Sequence, residues 1–179
     1  MKTSVGKTKL EVASGDITVL EVDAVVTPSG TELWMDHGVA AAVKRAGGEA
    51  VEKEAVLQGP VEIGEAVITT GHDLVARWVV HVALTDAGPQ ADAAGIAKAT
   101  RAALVASERC HARSVAIPAF GTGGGGFPLY QCASIMVTET VAYLKERGKG
   151  TALRHIMFSV YDDAARAAFK NAMVGVSRI

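Results

Sequence analysis

The sequence is poor in most of the features that announce a specialised function. Aromatic residues make up 5% of its 179 residues, there are only two cysteines and five prolines, and neither charge sign prevails. Two thiols, Cys110 and Cys132, cannot build a disulfide scaffold, and both fall in predicted helices where free buried cysteines are common. Lysine plus arginine number 18 against 19 acidic residues, a net charge of −1, which disfavours a nucleic-acid binder held by phosphate contacts. No apolar run approaches the roughly 20 residues of a membrane span. The start, Met1 to Lys7, has charge without a following apolar segment, so no signal peptide, no membrane partner and a cytoplasmic location are expected. No Gly-Lys-Ser or Gly-Lys-Thr follows the glycine-rich segment, so a Walker loop is excluded. Without a Gly-x-Ser-x-Gly elbow a serine hydrolase has no basis. His37, His72, His81, His111 and His155 lack metal-ligand spacing, so no metal is expected; no cofactor is implied either.

What is abundant is small and apolar. Hydrophobic residues reach 49%, enough for a substantial core and too many for a disordered chain. With so few aromatics, that core must come from close packing of alanine, valine and glycine. Ala24–Val26, Ala66–Thr70, Trp78–Ala83, Ser114–Pro118 and His155–Val160 read as short strands covered on both faces. Thr8 to Ala13 alternates and reads as a strand with one wetter face. Between them lie helical stripes: Val39, Ala42, Val43 and Ala46, stopped by Gly47-Gly48; Ile96, Ala99, Ala103 and Leu104; Leu129, Cys132, Ala133, Met136, Thr140 and Leu144; and Ala165, Ala168, Phe169, Ala172 and Met173. Pro128 suits the first turn of the third of these helices. The alternation predicts one α/β domain over residues 1–179: a three-layer α/β/α sandwich around a mixed, mostly parallel sheet.

The strongest chemical signal is Pro118-Ala119-Phe120-Gly121-Thr122-Gly123-Gly124-Gly125-Gly126-Phe127-Pro128, between a predicted strand and a predicted helix. Successive backbone N–H groups in such a loop can cradle an anion, helped by the helix that follows. The competing reading is a flexible loop with no ligand. Gly121-x-Gly123-x-x-Gly126 also fits a dinucleotide fingerprint on paper, although any glycine run would. A second candidate is Asp36-His37-Gly38-Val39-Ala40 ahead of the first helix; a histidine there can act as acid, base or anion donor, or serve only as a polar residue at a helix start. Asp16, in Gly15-Asp16-Ile17-Thr18, reads equally as a cap for local backbone donors or as an acceptor for an exocyclic amine. Tyr161 ends the last strand and could stack on a planar ligand or cover the core. His81 reads as a hydrogen-bonded core residue, and Trp34 and Met35 as core packing.

Taken together and in order, these segments resemble the macrodomain family of ADP-ribose-binding modules, from Lys9 to Met173. The resemblance rests on Gly15–Thr18, Asp23–Val26, His37–Val43, Gly64-Glu65-Ala66, Thr70-Gly71, Val79–His81, Pro118–Pro128 and Val160–Asp162. It implies that Asp16 bonds the adenine amine beside the Ile17 backbone, with Tyr161 stacking near the base. It also implies that backbone groups of Gly38, Val39, Ala40 and the Gly121, Thr122, Gly123, Gly124, Gly125, Gly126, Phe127 loop surround the diphosphate. The implied ligand is ADP-ribose, free or attached to a macromolecule. The departures are local. Thr27-Pro28-Ser29-Gly30 stands where the family carries Asn-Ala-Ala-Asn, and Ala40 where its best-known mono-ADP-ribosyl hydrolases carry Asp. Neither a paired-glutamate glycohydrolase signature nor a lysine-nucleophile motif is present. A reader with weak or no hydrolysis is therefore expected. Next in order come a hydrolase or O-acetyl-ADP-ribose deacetylase using His37 or a phosphate-held water, an RNA or nucleotide module, and an oxidoreductase. His37, Asp36, Thr27 and Ser29 are the candidate substitutes for the missing catalytic side chains.

Overall fold

Neighbouring residues of one strand belong to different apolar clusters, and this defines the layers. In β3 (Ala24–Gly30), Ala24 and Val26 pack with the cluster that holds Ile96, Leu104, Met136 and Phe169, while Val25 packs with Ala40, Val43 and Val51. The computed structural model describes residues 1–86, 90–123 and 126–176. Seven strands form one sheet: β1 (Lys2–Val5), β2 (Thr8–Ser14), β3, β4 (Ala66–Thr70), β5 (Trp78–Thr85), β6 (Ser114–Pro118) and β7 (His155–Val160), in the order β1-β2-β7-β6-β3-β5-β4. Both outer pairs, β1–β2 and β4–β5, are antiparallel and the inner pairings are parallel. Helices α1 (Gly38–Gly47) and α2 (Glu49–Leu57) cover one face. The other carries α3 (Ala93–Arg109), α4 (Leu129–Arg147) and α5 (Asp163–Val176). This is the expected mixed α/β/α sandwich.

Small side chains do fill the interior: Ala24, Ala83, Ala99, Ala103, Ala116 and Ala133 are fully buried, so the helices can approach the sheet closely. Phe158 and Phe169, with ring centroids 5.1 Å apart, anchor α5 to β7. His81 is a core residue as expected, its Nε2 2.9 Å from Thr69 Oγ1.

Several expectations need correction. β1 and α2 were not legible as elements, and β3 and β5 run further than their apolar runs. The buried face of α1 is Ala40, Val43 and Gly47, whereas Ala46 is exposed; a helix of alanines and valines marks its own face poorly. Pro128 is the residue before the first turn of α4, with extended ψ of 125°, and Cys110 lies just past the end of α3. Met35 is buried, but Trp34 is half exposed.

β3 positions the site. Its ladder to β6 consists of Ala24↔Val115 and Val25↔Ala116, while its ladder to β5 continues to Gly30↔Thr85. Past Val25 the two inner strands part. Pro28 has no N–H to contribute, and it falls in this singly paired stretch, where a central-strand proline is tolerable. From their diverging ends the chain runs to opposite faces, to α1 after β3 and to α4 after β6. Such a crevice beyond the carboxyl ends of parallel strands is where open α/β sheets take ligands.

Candidate functional site: a cleft between two glycine-bearing loops

A cleft of about 640 Å³ occupies this crevice. One wall comes from the end of β3 and the start of α1: Pro28, Ser29, Gly30, Trp34 and Asp36 to Ala40. The other comes from the end of β6 and the loop after it: Pro118, Ala119, Gly121, Thr122 and Gly123. Ile17, Val160, Tyr161 and Asp162 close one end, and Leu84 and Thr85 of β5 with the following Asp86 line the other side. No lysine or arginine lines it among the described residues.

The first wall presents backbone donors. The first turn of a helix has N–H groups without intrahelical partners. Two helices here satisfy theirs with side chains: Asp92 accepts from Gly95 N–H at 2.6 Å, and Asp162 from Ala165 N–H at 2.7 Å. α1 does not, because His37 occupies the cap position in an extended conformation with no side-chain bond to the helix. The Gly38, Val39 and Ala40 N–H groups are left at a positive helix end that faces the cleft. Gly38 has φ +62°, a conformation that strains any residue with a Cβ.

Opposite, Gly121 has φ +73°, and a Cβ on it would come within 2.7 Å of the Ala91 methyl. The loop closes on itself, with Phe127 N–H donating to Gly121 O at 2.9 Å and Gly126 N–H to Gly123 O at 3.2 Å. Gly126 and Phe127 have their N–H groups engaged in these bonds and are not among the lining residues; Phe127 packs on the large core cluster. Gly124 and Gly125 lie outside the described residues.

At the closed end, Asp16 caps the short 3₁₀ turn Ile17–Val19, accepting from Thr18 N–H at 2.9 Å and Thr18 Oγ1 at 2.7 Å. These bonds hold its carboxyl below the ordinary aspartate range. The Tyr161 hydroxyl makes a long contact with the same oxygen, 3.5 Å from Asp16 Oδ1. Partial burial, reinforced by that carboxylate, pushes the phenol up. Tyr161 is 61% exposed and follows the last residue of β7, so its ring is presented to the cleft instead of covering the core. Asp16 adjoins Ile17 and meets Tyr161 at this edge of the cleft, and the capping reading describes the bonds of its Oδ1.

Among the substitutes considered for catalysis, His37, Asp36 and Ser29 line the cleft, and Thr27 does not: it is fully buried. Ser29 Oγ points to main-chain carbonyls of Gly30 and Val82, at 3.2 and 3.4 Å. Leu84, Thr85, Asp86 and Ser159 were not singled out from sequence. The available signal was their position at the ends of strands flanking the glycine loops. Among the described residues no group of His, Cys, Asp and Glu is arranged to hold a metal, and no helix is long and apolar enough to cross a membrane.

The Macro domain family model matches residues 26–136, most of both cleft walls. The chain belongs to the Macro domain family. As a macrodomain it is 39% identical over 170 residues to an uncharacterized protein of Mycobacterium tuberculosis, covering 95% of this chain and 46% of that one. It thus spans about half the length of that curated relative. It is 37% identical over 135 residues to the O-acetyl-ADP-ribose deacetylase of Salmonella gallinarum, covering 72% and 75% of the two chains. A Trypanosoma brucei macrodomain, solved in complex with ADP-ribose, superposes with a TM-score of 0.82 at 26% identity, over 92% of this chain and 68% of that one. Gly30 and Ala40 both line the cleft, and neither carries a polar side chain.

Proposed function

We propose that the protein binds ADP-ribose, free or attached to a macromolecule, and hydrolyses it weakly or not at all. The carrying observation is the uncapped start of α1 at Gly38, Val39 and Ala40, facing the Gly121–Gly123 segment across a cleft that no lysine or arginine lines among the described residues. That arrangement suits a diphosphate held by main-chain N–H groups, which need no basic surface. The adenine lies at the Ile17–Tyr161 end, where the second, unengaged oxygen of Asp16 can accept from an exocyclic amine. The distal ribose extends towards Gly30 and Thr85. The Trypanosoma brucei relative, solved with ADP-ribose, supports this ligand.

Weak hydrolysis follows from the side chains on hand. Neither Gly30 nor Ala40 offers a group to orient or deprotonate a water. One observation favours a second, catalytic reading: His37 lines the cleft beside the diphosphate site, and the Salmonella gallinarum relative is named as a deacetylase. Calorimetric titration with ADP-ribose, with AMP as a competitor, tests the first reading. Micromolar binding is the expected result, and no binding at millimolar ligand would overturn it. Product release from O-acetyl-ADP-ribose that disappears in His37→Ala would favour the second.

A further inference from the structure

Among the described residues that line the cleft, Trp34 is the aromatic side chain whose position the ligand reading above leaves unexplained. It is half exposed and lines the cleft. Its backbone is fixed on both sides. Leu33, fully buried against Ala55 and Val67, adopts φ +68°, a left-handed conformation unfavourable for a branched residue and sustained only where surrounding structure enforces it. Met35 is buried, and its N–H donates to Glu52 Oε2 at 2.7 Å. Between these anchors the indole is held out towards the cleft.

The surroundings of Trp34 define what it could meet. Leu33 N–H donates to Gly30 O at 3.1 Å, so a tight turn brings Trp34 next to the end of β3. At Gly30 there is room: an added Cβ would meet only Thr85 O at 3.8 Å and Asp86 O at 4.0 Å, ordinary contact distances. The missing side chain leaves space that sterics do not demand. Asp36 and Asp86 contribute carboxylates on this side of the cleft, with no cation lining it among the described residues.

Resting on the ADP-ribose reading, we propose that Trp34 is a stacking platform for a cationic planar ring joined to the distal ribose. The ligand class is a dinucleotide carrying a pyridinium. An indole face attracts such a ring through its quadrupole, and the two carboxylates favour the positive charge. A nucleobase within a nucleic acid would bring further phosphates to an acidic rim, so it is the disfavoured source of a planar ring.

Oxidised and reduced nicotinamide adenine dinucleotide serve as probes, because they differ in the charge and aromaticity of this ring. Affinities for both, for ADP-ribose and for a single-stranded oligonucleotide carrying ADP-ribose on a base would be measured on wild type, Trp34→Leu and Trp34→Phe. Unchanged circular dichroism would establish folding. The oxidised dinucleotide should bind at least as tightly as ADP-ribose, and about two- to fivefold more tightly than the reduced form. Trp34→Leu should remove that preference, weakening the oxidised dinucleotide by a larger factor than ADP-ribose, and Trp34→Phe should restore part of it. Loss of affinity for ADP-ribose and the oxidised dinucleotide in equal proportion would overturn the proposal and leave the ADP-ribose reading intact. So would exclusion of the oxidised dinucleotide, or tighter binding of the oligonucleotide. Failure of wild type to bind ADP-ribose would overturn both.

Discussion

Lowering the pH should destabilise the fold through His81. His81 is fully buried in β5, and burial drives its pKa down from 6.5 to about 4, weakly opposed by the charge of Glu54. Its Nε2 meets Thr69 Oγ1, and Nδ1 has no partner among the described residues; neither does Thr27 Oγ1 at the paired position of β3. Among the described residues only the charge of Glu54 favours an imidazolium, and it does not offset burial. The folded-state value lies below the unfolded one, so the unfolded chain binds more protons between them. Stability is therefore full above pH 6.5 and falls as the pH drops towards 4. Integrated from about pH 7.5 to about pH 5, the loss is about 2 kcal/mol, with a ceiling of about 3 kcal/mol at lower pH. For a chain of this size that is a fall in Tm of about 4–8 °C. Urea unfolding of wild type and His81→Gln at both pH values isolates the effect, because glutamine stays neutral and can still reach Thr69. The variant should lose about 2 kcal/mol less than wild type over the interval. Equal losses would refute the reasoning, since His81 would then be accepting its proton inside the fold.

Two further predictions concern the framework of the cleft. Gly38→Ala meets no heavy atom within 4 Å and should cost about 1 kcal/mol through its left-handed backbone alone, whereas Gly121→Ala adds the collision with Ala91 and should cost about 2–3 kcal/mol. Denaturant titration of both variants separates strain from crowding, and equal costs would show that the loop yields freely. Glu52 is mostly buried; burial raises its carboxyl pKa, but Lys44 Nζ at 2.9 Å and the Met35 N–H outweigh this and hold it below the ordinary range. Glu52→Gln should therefore cost about 1–2 kcal/mol in denaturant unfolding at neutral pH. A neutral result would mean that Met35 and Lys44 find other partners.

The layers could be read from the sequence because β3, β5 and β6 are buried on both faces, which leaves short apolar runs with few alternatives; β4, expected to be covered on both faces, is an edge strand that alternates. Elements that bury little could not. β1 alternates exposed and half-buried residues over Lys2–Val5, and α2 buries only Val51 and Ala55 among four glutamates and lysines of its first six residues. The glycine loops stood out because anion binding by main-chain groups demands an unusual local composition. Trp34 did not, since a tryptophan between leucine and methionine has the composition of a core segment. Only the left-handed turn at Leu33, which no residue type announces, directs its ring outwards. The β5 end was hidden for another reason: Thr85 and Asp86 reach the cleft through the register with Gly30, a relation between strands more than fifty residues apart.

The division of labour within the cleft argues for binding over turnover. Asp162 is engaged in capping α5, Ser29 Oγ is directed at main-chain carbonyls, and Thr27 is sealed in the core. His37 lines the cleft but has no side-chain bond to the helix it precedes, and no hydrogen bond orients its ring among the described residues. A general base works through a partner that fixes its tautomer and direction. Here that partner would have to be the ligand itself, or Asp36 after a rearrangement of the turn before α1. By contrast, the groups suited to holding a diphosphate are main-chain donors of a helix start and a self-closing loop, already in place before any ligand arrives. Pre-positioned donors favour affinity, whereas an unoriented imidazole gives little rate, so the arrangement supports the proposed binding without efficient hydrolysis.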